Sequence, residues 1–456
     1  MSFLTSLSSQ KVLVIGGGVT GSAVIRFLKA QAVADITVLD EKQSTSEGIA
    51  SIQSLTDLNF DLAIVSPGWK KNHPEIQKLL ASKILLLSEL DFAWMVKKEI
   101  APLQKWIGLT GTNGKTTTIQ MVESIFNSAG INGIACGNVG VTVIEALMQE
   151  KPFDYLALEL SSFQIDWSTQ PNFDAVAILN IADDHIDWHG SFEDYAQSKV
   201  SLLDRASIGI LNLADPEIVL RSSGWNGQKF FFGLDTPQSN EIGLVENLIV
   251  DRAFSPSQSE AEVIAELTDI NPAVPHNVLN AMAAAGLALS IGISHANIRA
   301  GLSSFSPDHH RLEKVLEVNG VEWIDDSKAT NPHAALAALG SFLSVVWVAG
   351  GLAKGARMDS LIQRAGSRVR AAILIGEDRE LIAQALREFA PDIPIHRVDK
   401  TESSQQLMDD VVRTAMKLAQ PGDAVLLAPA CASMDQFTSY AQRGDLFAES
   451  VRRLVK

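Results

Sequence analysis

Residues 108–118 read GLTGTNGKTTT. The apolar segment before them ends at Trp106-Ile107, and the periodic stretch IQMVESIF follows, so the local order is strand, glycine-rich turn, helix start. Such a turn predicts a phosphate site. Backbone N–H groups of Gly111, Thr112, Asn113, Gly114 and Lys115 are expected to point at the anion, the helix dipole adds partial positive charge, and the Lys115 ammonium reaches the β- and γ-phosphates. Thr116 is placed to offer a hydroxyl to Mg²⁺, and Thr117 is grouped with the same nucleotide-binding turn. The loop is a variant, because the spacing G-x-x-x-x-G-K-[ST] asks for glycine at 109 and Leu109 stands there, with glycines at 108 and 111. ATP or GTP binding is the functional reading, and a chance Gly-Lys-Thr at a helix start is the bland one.

At 456 residues the chain exceeds one core, since domains run to roughly 100 to 200 residues. Three domains are expected. A hydrophobic content of 46% with 20% charged residues is that of a soluble globular protein. No apolar run approaches the roughly 18 residues of a membrane span, so no membrane insertion is expected. The start MSFLTSLSSQK has no basic stretch, long apolar centre or cleavage site, and the only two cysteines, Cys136 and Cys431, lack metal-ligand spacing. A cytoplasmic protein fits these features best. The net charge of −16 argues against nucleic acid as the main partner and favours small anions held by a few placed cations.

The fold class expected is α/β, in three blocks. Residues 1–98 open with KVLVIGGGVTGSAVIRFLKA, a strand, then Gly16-x-Gly18-x-x-Gly21, then an amphipathic helix, and a second strand ends at Asp40, where an acidic side chain often meets a ribose. Residues 99–305 carry the phosphate loop and strands such as YLALELSS and AVAILNI, whose continuous apolar runs predict a parallel sheet covered by helices. Residues from about 237 to 266 read as either a small antiparallel insertion or a surface loop. Residues 306–456 form the third block, with WIDDSK, VVWVAGG, AAILIG and AVLLAPA as strands that again look parallel.

Glu159, at the carboxyl end of LALE, suits a Mg²⁺ held beside ATP, a role it takes only because the phosphate loop lies upstream. NIADDHIDWHG crowds Asp183, Asp184, His185, Asp187 and His189 after another strand, and solvated acidic loops are the commoner outcome for such a run. Lys199 by itself is an ordinary lysine on an amphipathic helix. In the third block, Asp325, Asp326, Lys328 and Thr330 follow one strand and Lys354 sits in a glycine-rich turn after the next. Two lysines with hydroxyls on neighbouring strand ends would make a carboxylate pocket.

TGTNGKTT, ELSSFQ, NIADDHID, HNVLNA, HR, DSKATN and ACASMDQF occur in this order, and together they resemble the Mur ligases of peptidoglycan synthesis over essentially the whole chain. DSKATN and the ACASMDQFTSYAQRG run are the specific parts, and the phosphate loop is shared with folylpolyglutamate synthases. The pattern is most similar to the members that add D-glutamate to UDP-N-acetylmuramoyl-L-alanine. The resemblance implies a Rossmann-like UDP-binding domain, a central P-loop ATPase domain and a Rossmann-like C-terminal domain. It implies ATP and two Mg²⁺ ions, with Lys115 and Thr116 on the phosphates and metal, Glu159 a metal ligand, and His185 and a carbamylated Lys199 serving the second ion. Lys115, His185 and Lys199 are then the catalytic set.

By the same resemblance Asn277, Asn280, Arg311 and Asp326 contact the nucleotide, and Lys328, Thr330, Lys354, Ser433 and Tyr440 hold the incoming amino acid. Val19, Thr20, Asp40, Gly68 and Asn138 fall where the family binds the UDP-sugar, so the first glycine loop would serve UDP and not NAD. A monomer working by closure of the third domain is expected. Tyr440, where relatives often carry Phe, Trp188 and the SPDHHR approach to Arg311 depart from the pattern. Three rivals stand beside this reading: a sister ligase adding another amino acid, an NAD-dependent oxidoreductase, and a nucleotide-binding module without catalysis. The Asp-Asn-Pro-Arg tetrapeptide typical of diamino-acid-adding relatives does not occur here.

Overall fold

Three sheets organise the chain in the computed structural model, which describes residues 2–41, 45–255 and 261–456. The first sheet orders five parallel strands, Ser51–Ile52, Asp35–Leu39, Lys11–Ile15, Leu62–Val65 and Leu85–Ser88. Val12 to Ile15 and Leu62 to Val65 are buried throughout, as the apolar runs require of strands covered on both faces. Helix Val19–Ala30 packs tightly onto the glycine turn, because a Cβ on Gly21 would lie 1.7 Å from the Gly16 carbonyl oxygen.

The second sheet has nine strands. Lys105–Thr110 lies inside it, flanked by Tyr155–Glu159 on one side and Phe173–Ile178 on the other. The chain switches sides of the sheet here, which opens a crevice at the carboxyl ends of these strands. The irregular stretch proves to be a sheet extension. Glu241–Val245 adds in parallel, and Leu248–Asp251 and Glu262–Glu266 follow antiparallel, with residues 256–260 outside the described part.

The third sheet runs Glu313–Val318, Val321–Asp325, Ala424–Leu427, Val345–Gly350, Val369–Ile375 and Ile395–Arg397. The four expected strands, Val321–Asp325, Ala424–Leu427, Val345–Gly350 and Val369–Ile375, pair in parallel, and an unforeseen strand, Glu313–Val318, adds antiparallel beside Val321–Asp325. That edge strand is no more than half-buried, so the charges of EKVLEV face water and disguise it as a loop. One expectation needs correcting: the strands that precede Lys328 and Lys354 are not neighbours, because Ala424–Leu427 pairs with both and separates them.

By packing, Met1–Ile181, His185–Ala273 and Asn277–Phe305 make one compact unit, and Ala182–Asp184, Val274–His276 and Ser306–Lys456 make another. Within the first unit, helix Glu89–Ile100 joins the two sheets, its Trp94 meeting Trp106 edge-on at 4.9 Å between ring centroids. Each unit encloses one free cysteine. Burial pushes the Cys431 thiol up to about 12 and the Cys136 thiol higher still. No helix among the described residues is long and apolar enough to cross a membrane.

Candidate active site

The strand Lys105–Thr110 delivers the phosphate loop, and helix Lys115–Ala129 leaves it. Gly114 turns the corner in the left-handed region at φ +84°, and a Cβ there would stand 2.4 Å from Asn280 Oδ1, so the position admits only glycine. The first N–H groups of this fifteen-residue helix have no intrahelical carbonyl and form the anion-facing end. The expectation that all five loop N–H groups meet the anion is corrected. Asn180, after the strand Phe173–Ile178, accepts Thr112 N–H on its carbonyl (2.9 Å) and Asn113 N–H on Oδ1 (2.8 Å), and returns Nδ2 to the Asn113 carbonyl at 3.0 Å. Those donors hold the loop in shape. Lys115 Nζ curls over it, donating to the Gly111 and Thr112 carbonyls at 2.8 and 2.9 Å. Thr116 and Thr117 open the helix.

Glu159 ends the adjoining strand and is 1% exposed. Its Oε1 accepts from Asn138 Nδ2 at 3.0 Å, while Oε2 is buried without a hydrogen-bond partner among the described residues. A buried carboxylate oxygen left this way is costly unless a cation meets it, so the geometry fits a hard divalent ion such as Mg²⁺. Gly137 makes the approach possible, because a Cβ there would lie 2.4 Å from the Glu159 carbonyl.

Helix Phe192–Val200, capped by Ser191, presents Tyr195 and Lys199 one turn apart toward the same loop. Lys199 is 2% exposed, donates to the Gly111 carbonyl at 2.8 Å and lies 4.8 Å from the centre of the Tyr195 ring. Burying an ammonium costs several kcal/mol, and contacts of this kind offset that cost. Tyr195 is the hub: its hydroxyl meets Thr112 Oγ1 at 2.9 Å, and its ring lies 5.4 Å from that of His189 and 6.4 Å from that of His185. His185 precedes the short helix Ile186–His189 in a left-handed backbone, its ring edge-on to Phe163 with centroids 4.8 Å apart. His189 bonds Ser162 Oγ at 2.9 Å, and burial lowers its pKa.

Asn277 and Asn280 are buried on helix Pro275–Ser290. Asn277 Nδ2 donates to the Asn271 and Pro272 carbonyls (3.2 and 2.9 Å), and the Asn280 side chain lies close against Gly114 of the phosphate loop.

Beside the first sheet lies a cavity of about 710 Å³ lined by Val19, Thr20, Asp40 and Gly68, with Trp69 and Lys70 at its wall. Asp40 Oδ2 accepts the Gly17 N–H, so the acid also shapes the glycine turn. Asn138 is not among the residues lining this cavity; its Nδ2 donates one hydrogen bond to Glu159. A second cavity of about 520 Å³, lined by Lys70, His189, Asp194 and Ser198, adjoins it through shared lining residues.

In the second unit, Lys328 sits with Nζ 3.9 Å from the centre of the Tyr440 ring, a cation–π contact that orients the ammonium. Arg443 is fully buried and ties two loops to its helix: Nε donates to Ser327 Oγ, Nη2 to the Ser327 carbonyl, both at 2.9 Å, and Nη1 to the Cys431 carbonyl at 3.2 Å. Burial lowers its pKa to about 10. The Ser327 Oγ–H donates in turn to the Tyr440 carbonyl at 2.7 Å. His310 bonds Asp325 Oδ2 at 2.6 Å, and that carboxylate raises its pKa. Crowding by protein atoms pushes the Asp326 carboxyl up to about 7, although it accepts the Leu312 N–H; Arg311 acts on it in the opposite sense. Thr330 follows Lys328 in the same loop, Ser433 is buried, and Lys354 is exposed in a left-handed turn.

Asn180, Tyr195 and Arg443 were not singled out from sequence. Tyr195 had a usable signal, its i, i+4 spacing to Lys199, while Asn180 and Arg443 act through contacts 67 and 116 residues away.

Residues 109–288 match the Mur ligase middle domain, and residues 310–431 the Mur ligase glutamate ligase domain. A UDP-N-acetylmuramoylalanine–D-glutamate ligase of Streptomyces coelicolor is 42% identical over 99% of both chains, and one of Thermobifida fusca is 42% identical over 98% of this chain and 99% of that one. Among solved structures, a pseudomurein peptide ligase type C from Methanothermus fervidus aligns over 98% of this chain and 100% of its own with a TM-score of 0.62 at 20% identity, a likeness of fold. With relatives alike along their full length and with both domain matches in chain order, the chain belongs to the Mur ligase family, among the UDP-N-acetylmuramoylalanine–D-glutamate ligases.

Proposed function

We propose that this protein is a cytoplasmic, monomeric, ATP-dependent ligase that joins D-glutamate to UDP-N-acetylmuramoyl-L-alanine, releasing ADP and phosphate in peptidoglycan precursor synthesis. The observation that carries the reading is Glu159, a buried carboxylate with one oxygen unpartnered among the described residues, set beside a phosphate loop in a chain alike over its whole length to ligases of that name.

The chemistry starts from a difficulty: a carboxylate is a poor acyl donor. The alanyl carboxylate oxygen attacks the γ-phosphorus, the bond from that phosphorus to the β-bridging oxygen breaks, and an acyl phosphate forms with ADP leaving. The glutamate amine then attacks the acyl carbon, phosphate departs, and the amine loses a proton. Lys115 and the start of its helix take the β- and γ-phosphates, steadying the charge that shifts during transfer. Thr116 and Glu159 would hold one Mg²⁺, and His185 with a carbamylated Lys199 would hold a second. When bound, these ions supply charge neutralisation on the transferring phosphoryl group. Asn277, Asn280, Arg311 and Asp326 serve the nucleotide, Val19, Thr20, Asp40, Gly68 and Asn138 the UDP-sugar. Lys328, Thr330, Lys354, Ser433 and Tyr440 hold the glutamate, whose carboxylates match two ammonium groups and hydroxyl donors.

The test is phosphate release from ATP with UDP-N-acetylmuramoyl-L-alanine and, in turn, D-glutamate, L-glutamate, L-alanine or diaminopimelate. Turnover is expected with D-glutamate alone. Turnover with another acceptor would move the specificity, and none with any acceptor would defeat the ligase reading.

Carbamylation of Lys199 adds CO₂ to the amine and releases protons, replacing a buried cation by an anion with two oxygen ligands. Bicarbonate is expected to raise wild-type turnover, and ¹³C-labelled bicarbonate to give a carbamate carbon resonance that is missing in Lys199→Ala. Full activity in Lys199→Ala would refute the assignment.

A further inference from the structure

Lys70 lines both cavities of the first unit. It is exposed, yet its ammonium is held: Nζ donates to the Asp187 carbonyl at 2.7 Å, in the loop that carries His185. The backbone under it is fixed from both sides. The Trp69 carbonyl accepts Trp167 Nε1–H at 2.8 Å, and Lys71 Nζ reaches the Asp166 carbonyl at 2.6 Å and its carboxylate at 2.9 Å. Trp69 stacks edge-on with His73, centroids 4.6 Å apart, and closes over the glycine turn.

The charges around this junction are unequal. Asp40 and Glu41 line the first cavity, and Asp166 and Asp194 the second, so an anion entering either meets carboxylates. Lys71 is neutralised by Asp166. Among the described residues Lys70 has no carboxylate partner, and its ammonium has three N–H donors, of which the Asp187 carbonyl takes one.

We propose that Lys70 receives the diphosphate of the UDP-sugar substrate where it passes from the first cavity to the second, with the Asp187 carbonyl holding the ammonium in place. This rests on the ligase reading above, which supplies the ligand. A ligand with its nucleoside beside Asp40 and its sugar toward His189 must carry its two linking phosphates across the junction. Two remaining N–H groups of a fixed ammonium match two phosphate oxygens, and a charge-assisted hydrogen bond of this kind is stronger than a neutral one.

The experiment is calorimetric titration of UDP and of uridine into the full chain, with ADP present to fill the phosphate loop, for wild type, Lys70→Met and Lys70→Arg. Lys70→Met is expected to weaken UDP binding about tenfold or more and leave uridine unchanged, since a hydrogen bond to a charged group contributes about that much. Lys70→Arg should retain most of the affinity. In turnover, Lys70→Met should raise KM for UDP-N-acetylmuramoyl-L-alanine by a similar factor while kcat and KM for ATP stay near wild type. An unchanged ratio of uridine to UDP affinity in Lys70→Met would overturn the inference, whether or not the variant is less stable, because a structural loss weakens both ligands alike. If wild type turns over the substrate while the ratio is unmoved, only this inference fails. If wild type binds neither UDP nor the UDP-sugar, the ligase reading falls and takes this one with it.

Discussion

Lys115→Ala is expected to cut ATP-dependent turnover by about 10³-fold, the scale on which charge stabilisation of a transferring phosphoryl group acts. The protein itself should survive. Lys115 Nζ holds two loop carbonyls, but Asn180 clasps the same loop independently from the neighbouring strand, so the turn keeps its shape without the ammonium. Lys115→Arg should not restore activity. A planar guanidinium cannot occupy the place of a compact ammonium that folds back over a turn of this size. Phosphate release measured with saturating D-glutamate and UDP-N-acetylmuramoyl-L-alanine checks this, and activity within tenfold of wild type would remove Lys115 from the catalytic set.

Arg443→Met should damage both stability and amino-acid affinity. The substitution keeps much of the volume but leaves the Ser327 and Cys431 carbonyls and Ser327 Oγ without the donor that now satisfies them in a buried place. Each buried acceptor left unpaired costs about 1 to 3 kcal/mol, partly offset because a buried charge is also removed, so a net loss of about 3 kcal/mol is expected. Thermal melting should show the transition of the second unit lowered by several degrees. The loop that Arg443 holds carries Lys328 one residue after Ser327, and Tyr440 begins the helix containing Arg443 itself. KM for D-glutamate should therefore rise about tenfold or more, as expected when positioning groups move by about an ångström, with KM for ATP less affected. Unchanged melting and unchanged KM together would show that the Arg443 tie is dispensable.

What the sequence revealed and what it withheld divide along contact range. The phosphate loop, Glu159 and the glycine turn at Gly16 were legible because each is a local pattern: an apolar run, glycines at fixed spacing, a helix start. The strand Glu313–Val318 was hidden because an edge strand half in water keeps its charges and loses the alternation that marks a buried face. Strand order was hidden more deeply. Nothing near Ala424–Leu427 says that it slides between strands formed about 80 and 100 residues earlier, since parallel pairing is fixed by crossovers and not by neighbours in sequence. Of the UDP-sugar group that the resemblance implies, Val19, Thr20, Asp40 and Gly68 line one cavity and Asn138 bonds Glu159, a grouping across distant segments that no local pattern announces.

The two cysteines give the molecule a pair of internal clocks. Cys136 and Cys431 are buried, unpaired thiols, one in each compact unit, and their raised pKa leaves almost no reactive thiolate while the fold is closed. Alkylation at either sulfur must wait for local opening, so its rate counts the excursions of that unit alone. Protection that grows at Cys136 on adding UDP-sugar or ATP, or at Cys431 on adding D-glutamate, would read out which half of the chain each ligand steadies, without any engineered label.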